Sequence, residues 1–370
     1  MHLDGYLLTP HGFLMGRLSW EAGRIAVVQG DPIDTAAVRD DRRPIVLPGF
    51  VDSHVHGAAG RDVMDAGDAV ATIARLHAVH GTTTLLATTM TAPMEDLTAA
   101  FSGLGAYCRD RPTDGARLAG VHLEGPYINP GKLGAQPDYA RPLDLAELAA
   151  LNTVAPIRLI TLAPEVGRNR EAIRELVAAG YRVQIGHTLA SYEEGSAALA
   201  SGASGFTHLF NAMSGMHHRE PGVVGAALAH AEFAEIIPDL LHVHPGAIRA
   251  ALRSIPRLFC VTDSTSATGM PDGEYRLGRN HVIKCLGGVR LADGTLAGST
   301  LTMDQALRNL VDTLGIDLAD AARRVATYAA DYLGLTDCGR LEAGMRADMV
   351  VLNRDLVLQD VFIEGRRVAR

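Results

Sequence analysis

The sequence predicts a (β/α)8 TIM barrel with a small flanking β-sandwich domain that is formed by both chain ends. Between residues 45 and 263, eight short apolar runs alternate with longer stretches of helical periodicity, which is typical of strand–helix units. Before residue 48 and after residue 335, the apolar runs are short, β-like and separated by turn residues. A doubly wound open sheet is the rival fold, but it gives no reason for polar residues to end so many strands.

The composition excludes several classes of function. The chain has 370 residues, 47% of them hydrophobic, which is enough to bury a large core. The net charge is −8 and no basic run could follow a nucleic-acid backbone, so we expect no nucleic-acid partner. No apolar stretch approaches the roughly 18 residues of a membrane helix, and the first residues lack the pattern of a signal peptide. The four cysteines are far apart in sequence, so we expect reduced thiols and a cytoplasmic protein.

The two chain ends are predicted to form the small β domain. In residues 1–47, strand candidates lie at 6–8 and 24–28, with a turn at 21–23 between segments. Residues 336–370 return to β-type runs, and we expect these strands to join the N-terminal ones in a single flanking sheet.

Residues 48–335 are predicted to form the barrel, with helices such as 68–80 and 170–179 between the strands. After the eighth strand, alternating residues and glycine turns at about 273–298 predict a β-hairpin insertion, which helices at 302–314 and 318–333 follow. The eight expected strand runs are 45–56, 82–88, 118–124, 158–162, 182–187, 205–210, 236–243 and 258–263.

The first barrel run ends in two histidines one residue apart. Residues i and i+2 of a strand point to the same side, so His54 and His56 are expected to face one metal ion together. Barrel active sites lie at the carboxyl ends of the strands. Those ends supply further side chains that suit metal ions, although an aspartate there could also be a helix N-cap. In chain order, they are Glu124, His187, His208 and Asp263.

This series of residues resembles the amidohydrolase superfamily, and the surrounding motifs resemble one family within it, the N-acetylglucosamine-6-phosphate deacetylases. The resemblance extends from about residue 48 to the end of the sequence. It implies a metal-dependent barrel enzyme that acts on a linear amide and forms a homodimer. The matching motifs are HLEGP at 122–126, THLFNAM at 207–213, REPG at 219–222, VTD at 261–263 and GTLAGS at 294–299.

The resemblance also implies a role for each matching residue. Asp263 matches the catalytic acid/base, and the metal-ligand positions imply one or two divalent ions, such as Zn, Fe, Mn or Co. Some members have a histidine where this chain has Gln136, which can donate a hydrogen bond but cannot be charged. The residues that match metal ligands are Glu124, His187, His208, His54 and His56. The residues that match substrate-binding positions are Ala135, Gln136, Asn211, Ala212, Arg219, His242, Leu296, Ala297 and Gly298.

The implied reaction converts N-acetyl-D-glucosamine 6-phosphate to D-glucosamine 6-phosphate and acetate in amino-sugar catabolism. A divalent metal would lower the pKa of bound water toward about 7 and polarise the amide carbonyl. Asp263 would take a proton as metal-bound hydroxide attacks and return it to the departing amine. The planar guanidinium of Arg219 suits a phosphate.

Two alternatives stay open. The first is another amidohydrolase: an N-acetylgalactosamine-6-phosphate deacetylase, an N-acyl-amino-acid deacylase or a dihydroorotase-like enzyme. The second is a catalytically inactive barrel that serves as a scaffold. Such a scaffold should have lost metal ligands or the acid/base, whereas here a suitable side chain fills every one of these positions.

Overall fold

The computed structural model describes residues 1–369, and its first four strands belong to a flanking sheet. Strands β1 (His2–Thr9), β2 (Gly12–Glu21) and β3 (Arg24–Ile33) form an antiparallel meander, and β4 (Ile45–Pro48) lies parallel to β1. Three strands from the C-terminal end complete the sheet beyond β4 and bring it to seven strands. The prediction that both chain ends build one sheet is therefore confirmed.

Alternate residues of β1 face two different hydrophobic cores. Tyr6 and Leu8 belong to the main core, whereas Leu7 belongs to a smaller core together with Leu18 and Trp20. This alternation is the period of two that an extended strand imposes on its side chains. The flanking sheet therefore packs on the barrel through one face and has a core of its own on the other.

Eight parallel strands form the barrel, as predicted. After the first of them, a short ribbon of two strands turns the chain back. In chain order, the barrel strands and this ribbon are β5 (Phe50–Val55), the ribbon β6 (Gly57–Ala58) and β7 (Arg61–Asp62), β8 (Thr82–Thr89), β9 (Arg117–Glu124), β10 (Ile157–Leu162), β11 (Arg182–Ile185), β12 (Gly205–Phe206), β13 (Phe233–Ile236) and β14 (Arg257–Cys260).

Main-chain hydrogen bonds close the barrel at two places. Six strands, from β5 to β12, form one parallel sheet, and β13 pairs with β14. The Leu209 N–H donates to the carbonyl of Glu235 (2.9 Å), which joins these two sheets. On the other side, the Asp263 N–H donates to the carbonyl of His54 (3.0 Å), and Val55 forms a parallel bridge with Ser264. The last strand thus returns to the first, which brings all eight carboxyl ends to one face.

Helices lie between and after the barrel strands. Side-chain caps fix several helix starts; Ser191 and Glu194, for example, form a capping box at the fifth helix. Two π-helical segments, Asn309–Thr313 and Arg323–Thr327, continue the late helices. The α-helices are α1 (Ala69–Val79), α2 (Met94–Arg109), α3 (Leu145–Val154), α4 (Asn169–Ala178), α5 (Tyr192–Ala200), α6 (Gly222–His230), α7 (Pro245–Ser254), α8 (Met303–Arg308), α9 (Leu318–Ala322) and α10 (Tyr328–Tyr332). Among the described residues, none of the helices has the length and apolar character that a membrane crossing needs.

The predicted insertion after the eighth strand is a three-stranded antiparallel sheet rather than a simple hairpin. Its strands are β15 (Gly273–Leu277), β16 (Asn280–Cys285) and β17 (Gly288–Arg290). The C-terminal strands of the flanking sheet are β18 (Met349–Leu352), β19 (Leu358–Ile363) and β20 (Arg366–Arg367).

Three of the predicted runs have the wrong bounds, and one of them, 205–210, is a strand only at Gly205–Phe206. The run 45–56 is two strands, β4 in the flanking sheet and β5 in the barrel, separated by Gly49. A Cβ at Gly49 would lie 2.3 Å from Thr83, so only glycine allows this close approach. The run 236–243 is mostly loop, and the seventh strand is Phe233–Ile236. Buried apolar loop residues such as Ile237 and Val243 gave that run its strand-like character. The predicted domain boundaries at 47/48 and 335/336 stay predictions.

Candidate active site

One glutamate connects two pairs of histidines at the carboxyl ends of the barrel strands. Glu124, the last residue of β9, places Oε1 3.1 Å from Nε2 of His187 and 3.0 Å from Nε2 of His208. Its other oxygen, Oε2, lies 3.1 Å from Nε2 of His56 and 3.5 Å from Nε2 of His54. The structure therefore brings together all five residues that the sequence suggested as metal ligands, and Glu124 lies between the two pairs.

Asp263 joins the same cluster. Its Oδ1 lies 3.4 Å from Nε2 of His54 and 3.3 Å from Nε2 of His56. Asp263, His187 and His208 have left-handed backbone conformations, with φ of 49°, 48° and 29°. Such conformations are uncommon for residues other than glycine and cost free energy, and they cluster at functional sites. Here they occur where the chain leaves a strand and turns its side chain toward the cluster.

The partners of the outer ring nitrogens favour metal binding by the inner ones. Nδ1 of His56 lies 3.1 Å from the carbonyl of Thr88, and Nδ1 of His187 lies 2.9 Å from the carbonyl of Lys132. A carbonyl only accepts, so Nδ1 donates in both rings. Nε2 then keeps its lone pair, which faces Glu124 and is available to a metal ion.

Buried carboxylates attract positive charge to the cluster. Burial alone would lower the pKa of His56, but its contacts with Asp263 and Glu124 raise that pKa to about 9. Burial would likewise raise the pKa of Asp263, yet the charges and hydrogen bonds of His54 and His56 lower it to about 2. The carboxylates are therefore ionised at neutral pH, and their charge is balanced by protons on the imidazoles or by a metal cation.

The donor atoms fit divalent metal ions. Among the described residues, three groups of three have their donor atoms within 4.8 Å of one another. Two of them contain the predicted ligands and Asp263; they are His54, His56 and Asp263, and Glu124, His187 and His208. The third is His54, His122 and Glu235. Ligands about 2.0–2.1 Å from a tetrahedral ion lie about 3.3 Å from each other. The distances within the first two groups run from 3.0 to 3.4 Å. Imidazole nitrogen with carboxylate oxygen is also a donor set that suits such ions.

This cluster lies at the floor of a cavity of about 370 Å³, and all of its members except the fully buried His54 line that cavity. Most of the residues predicted to bind substrate line the cavity, together with Met90, Lys132 and Leu277, which the sequence did not single out. The predicted residues in the lining are Ala135, Gln136, Asn211, Ala212, His242, Leu296 and Gly298.

Two predicted residues lie elsewhere. Arg219 is exposed in a tight turn between His217 and Glu220, and it is not part of the cavity lining. Ala297 is fully buried in a small apolar core under the insertion, although its neighbours Leu296 and Gly298 both line the cavity.

Gln136 is buried against Glu124. Its Oε1 accepts a hydrogen bond from the main-chain N–H of Thr91 (2.6 Å), which fixes the orientation of the side-chain amide. Its Nε2 therefore points at Glu124 and donates to Oε2 (2.6 Å). Gln136 thus orients the carboxylate of Glu124, a contact that the sequence analysis did not predict.

His242 forms a pair with an acidic residue that sequence reasoning missed. Nδ1 of His242 lies 2.7 Å from Oδ2 of Asp239, whose Oδ1 accepts the main-chain N–H groups of Leu241 and His242. Burial alone would lower the pKa of His242, but the hydrogen bond and charge of Asp239 raise it above its ordinary value. The cavity wall therefore has an imidazole that favours its cationic form. An aspartate three residues before the histidine was the signal in the sequence.

The insertion supports the wall that contains Ala135. The side-chain amide of Asn280 donates to the carbonyl of Ala135 (2.9 Å). Beside it, Arg279 makes two hydrogen bonds to Asp96 (2.7 and 3.1 Å), and the Gly278 N–H donates to Asp62 (2.9 Å). The chain at the turn between β15 and β16 is therefore attached at three separate places, namely the loop that contains Ala135, helix α2 and strand β7.

Comparisons with known proteins agree with this geometry. The model of the amidohydrolase family matches residues 45–368. An N-acetylgalactosamine-6-phosphate deacetylase from Escherichia coli O157:H7 is 39% identical over 368 residues, which cover 97% of this chain and 97% of that protein. An N-acetylglucosamine-6-phosphate deacetylase from Vibrio furnissii is 42% identical over 330 residues, which cover 87% of this chain and 82% of that protein.

Solved structures have the same fold over the whole chain. An N-acetylglucosamine-6-phosphate deacetylase from Thermotoga maritima superposes with a TM-score of 0.92 at 33% identity and 100% coverage of both chains. A mutant N-acetyl-D-glucosamine-6-phosphate deacetylase from Mycobacterium smegmatis, in complex with N-acetyl-D-glucosamine-6-phosphate, gives 0.91 at 36% identity and covers 100% of this chain and 99% of that one. The predicted barrel fold is thereby confirmed.

Proposed function

Because the chain belongs to the amidohydrolase family, we propose that it hydrolyses the acetamide of N-acetyl-D-glucosamine 6-phosphate. The products are D-glucosamine 6-phosphate and acetate, and the reaction belongs to amino-sugar catabolism. One observation carries the proposal: metal-ligand side chains and Asp263 meet at the floor of a cavity whose wall contains Asn211, Ala212 and His242. The floor provides the groups that hydrolysis of an amide requires, and the wall provides polar groups that can bind a sugar phosphate.

The residues of the floor divide the chemistry among them. A divalent ion held by these donors would acidify water and polarise the acetamide carbonyl. Asp263 is ionised in the folded protein, so it can accept the proton of the attacking water. As the C–N bond breaks, the same carboxyl returns that proton to the amine nitrogen. The amine then leaves in its neutral form together with acetic acid, which passes its remaining proton to the amine or to water and so becomes acetate.

We propose up to two divalent ions per chain. Each oxygen of Glu124 faces a different histidine pair, which supports a bridging role for this carboxylate. The His187/His208 pair is the more important of the two. Both imidazoles of this pair lie close to Oε1 of Glu124. The other oxygen, Oε2, faces the His54/His56 pair and also accepts a hydrogen bond from Gln136.

We also propose that the protein is a cytoplasmic homodimer. All four cysteines are free, which agrees with a reducing compartment. Arg219 is exposed beside the exposed Met216, on a loop that follows the cavity residues Asn211 and Ala212. In a dimer, the exposed guanidinium of this loop is available to a phosphate group in its own or in the neighbouring cavity.

An assay with matched substrates tests the proposal. Purified protein with its metal content measured should release acetate from N-acetyl-D-glucosamine 6-phosphate at least about ten-fold more efficiently, in kcat/KM, than from the unphosphorylated sugar, because a charge-assisted hydrogen bond contributes roughly 1.5–3 kcal/mol. Equal rates on both sugars would contradict the sugar-phosphate assignment. No release from either sugar by metal-replete protein would contradict the deacetylase assignment altogether.

The C4 epimer, N-acetyl-D-galactosamine 6-phosphate, is the second candidate substrate. The relative from Escherichia coli O157:H7 favours this substrate, because its alignment covers 97% of this chain and 97% of that protein. The alignment with the Vibrio furnissii relative covers 87% of this chain and 82% of that protein. The two epimers differ only in the direction of one hydroxyl group. The ratio of their kcat/KM values on the same enzyme sample decides between them.

A further inference from the structure

A buried carboxylate lies directly beneath the floor of the cavity. Glu235 belongs to the seventh barrel strand and is fully shielded from solvent. Its Oε2 lies 3.1 Å from Nδ1 of His54 and 3.3 Å from the main-chain N–H of His208. Its Oε1 accepts hydrogen bonds from Ser53 (2.8 Å) and Gln184 (3.2 Å). An ionised carboxylate is costly to bury unless it is fully hydrogen-bonded, and here both oxygens have donors.

The contact with His54 decides which ring nitrogen can bind a metal. An ionised carboxylate only accepts hydrogen bonds, so Nδ1 of His54 must donate to Glu235. Nε2 then keeps its lone pair and faces Glu124, His56 and Asp263. A ring with the opposite tautomer would place a proton at Nε2, where it could not ligate a metal ion.

The four histidines of the floor differ in this respect. His56 and His187 donate from Nδ1 to main-chain carbonyls. Within the part of the chain that the structure describes, Nδ1 of His208 is buried without a partner. Only His54 contacts a charged acceptor through Nδ1, and such an acceptor makes the ring a stronger metal ligand. Among the ring nitrogens of these four histidines, Glu235 contacts only Nδ1 of His54, because its contact with His208 is to the main-chain N–H.

We propose that Glu235 is a positioning residue that fixes the tautomer and orientation of His54, and so sets the metal affinity of the His54/His56 half of the centre. This inference rests on the proposed two-ion centre, but it is independent of which sugar phosphate is the substrate. Glu235 is absent from the lining of the active-site cavity, so we expect it to act through the ligands.

The test is a metal titration of the Glu235→Gln variant. The amide has nearly the shape of the carboxylate, but it would present an N–H group to Nδ1 or to the Ser53 and Gln184 donors. Chelator-treated protein is titrated with Co²⁺ and followed by absorption and calorimetry. We expect the affinity for the second ion to fall about 10–100-fold, the range known for residues behind metal ligands. The affinity for the first ion, at His187 and His208, should stay within about three-fold.

A matched control variant breaks a similar histidine–carboxylate contact elsewhere in the chain. Nδ1 of His80 lies 3.2 Å from the buried Oδ1 of Asp304, far in sequence from the ligands. Asp304→Asn should leave both Co²⁺ affinities unchanged. If Glu235→Gln lowers both affinities equally, its role is packing, and if it lowers neither, it has no role toward the metal; either result overturns the proposal.

Nitrogen-15 NMR of the wild-type protein loaded with Zn²⁺ gives a second measurement that needs no folded Glu235 variant. A slowly exchanging Nδ1–H proton should be present and should disappear in His54→Gln. Its absence from the wild type would also overturn the proposal. A protein that shows the affinity split and this proton, yet releases no acetate from either sugar phosphate, would keep this inference and reject the proposed function.

Discussion

The floor and the rim of the cavity are built in different ways. The floor consists of side chains at the ends of barrel strands, and their donor atoms lie 3.0–3.5 Å apart. The rim consists of loop residues that belong to the cavity lining or, in the case of Arg219, to an exposed loop outside it. We define the floor as His54, His56, Glu124, His187, His208 and Asp263, and the rim as Ala135, Asn211, Ala212, Arg219, His242, Leu296 and Gly298.

This difference separates chemistry from recognition. Strand ends are held by the closed barrel, so the floor is complete within one chain and its geometry is rigid. Loops vary more easily, and one rim residue, Arg219, lies outside the cavity in a single chain. Changes to the floor should therefore affect turnover on every substrate, whereas changes to Arg219 or His242 in the rim should affect mainly substrates with a phosphate group.

The largest effect is expected within the floor, between its two histidine pairs. Replacing His187 by Gln removes a ligand that faces Oε1 of Glu124, and we expect turnover to fall about 10³-fold or more, because a catalytic metal contributes several kcal/mol. Replacing both His54 and His56 by Gln should remove one ion and leave measurable activity. Elemental analysis of metal-replete protein provides the check. One ion per chain in both the wild type and the double variant would show that the His54/His56 pair is not a metal site.

The next effect concerns proton transfer. Asp263→Asn keeps the shape of the side chain but removes the proton acceptor, so we expect kcat to fall about 10²–10⁴-fold for the phosphorylated and the free sugar alike. The fold should be retained, and at least the His187/His208 ion should remain, because Asp263 lies with the other pair. Near-normal kcat with full metal occupancy would rule out Asp263 as the acid/base.

The sequence predicted the floor better than the rim for a physical reason. Ligand residue types at predicted strand ends are visible in a sequence, and the barrel itself brings strand ends together, so Glu124, His187 and His208 could be predicted without knowing any loop. Glu235 was missed because the seventh strand was assumed to start at Ile236. The sequence offered one indication, an acidic residue within an apolar run. Because the predicted strand began three residues after the observed one, Glu235 lay outside it.

Loop residues could not be placed by such reasoning. Three consecutive positions, Leu296, Ala297 and Gly298, were expected at the cavity, but the middle one faces an apolar core instead. The direction of a loop side chain depends on individual dihedral angles, for which no sequence period exists. The exposure of Arg219 likewise follows from a tight turn between His217 and Glu220, which the motif alone did not reveal.

A smaller effect is expected at the rim from Arg219→Ala. A charge-assisted hydrogen bond contributes roughly 1.5–3 kcal/mol, so kcat/KM for the phosphorylated sugar should fall about ten-fold or more, mainly through KM. The rate on the free sugar should not change. Mixing Arg219→Ala with Asp263→Asn chains should restore part of the activity if Arg219 acts on the neighbouring subunit. Equal losses on both sugars would instead reject a phosphate contact.

The smallest effect is expected at His242, and it depends on pH. Asp239 raises the pKa of His242, so the cationic ring persists above its ordinary pKa of about 6.5 and is lost as the pH rises through the raised value. The affinity for a phosphate group should therefore be full at low pH and decline at high pH. In Asp239→Asn, the acceptor charge is lost while an oxygen remains for the two main-chain N–H groups, so the decline should begin at lower pH.

Measurement of KM against pH for the wild type and Asp239→Asn checks this. A charged donor is about twice as strong as a neutral one, so we expect KM for the phosphorylated sugar to differ by roughly five-fold between the two enzymes in the range where only wild-type His242 is charged. The phosphate itself titrates near pH 6, but it does so equally for both enzymes and cancels in the ratio. The free sugar provides the internal control, because its KM should have the same pH profile with both enzymes. Superimposable profiles for the phosphorylated sugar would mean that His242 recognises a neutral part of the substrate and does not contact the phosphate as a cation.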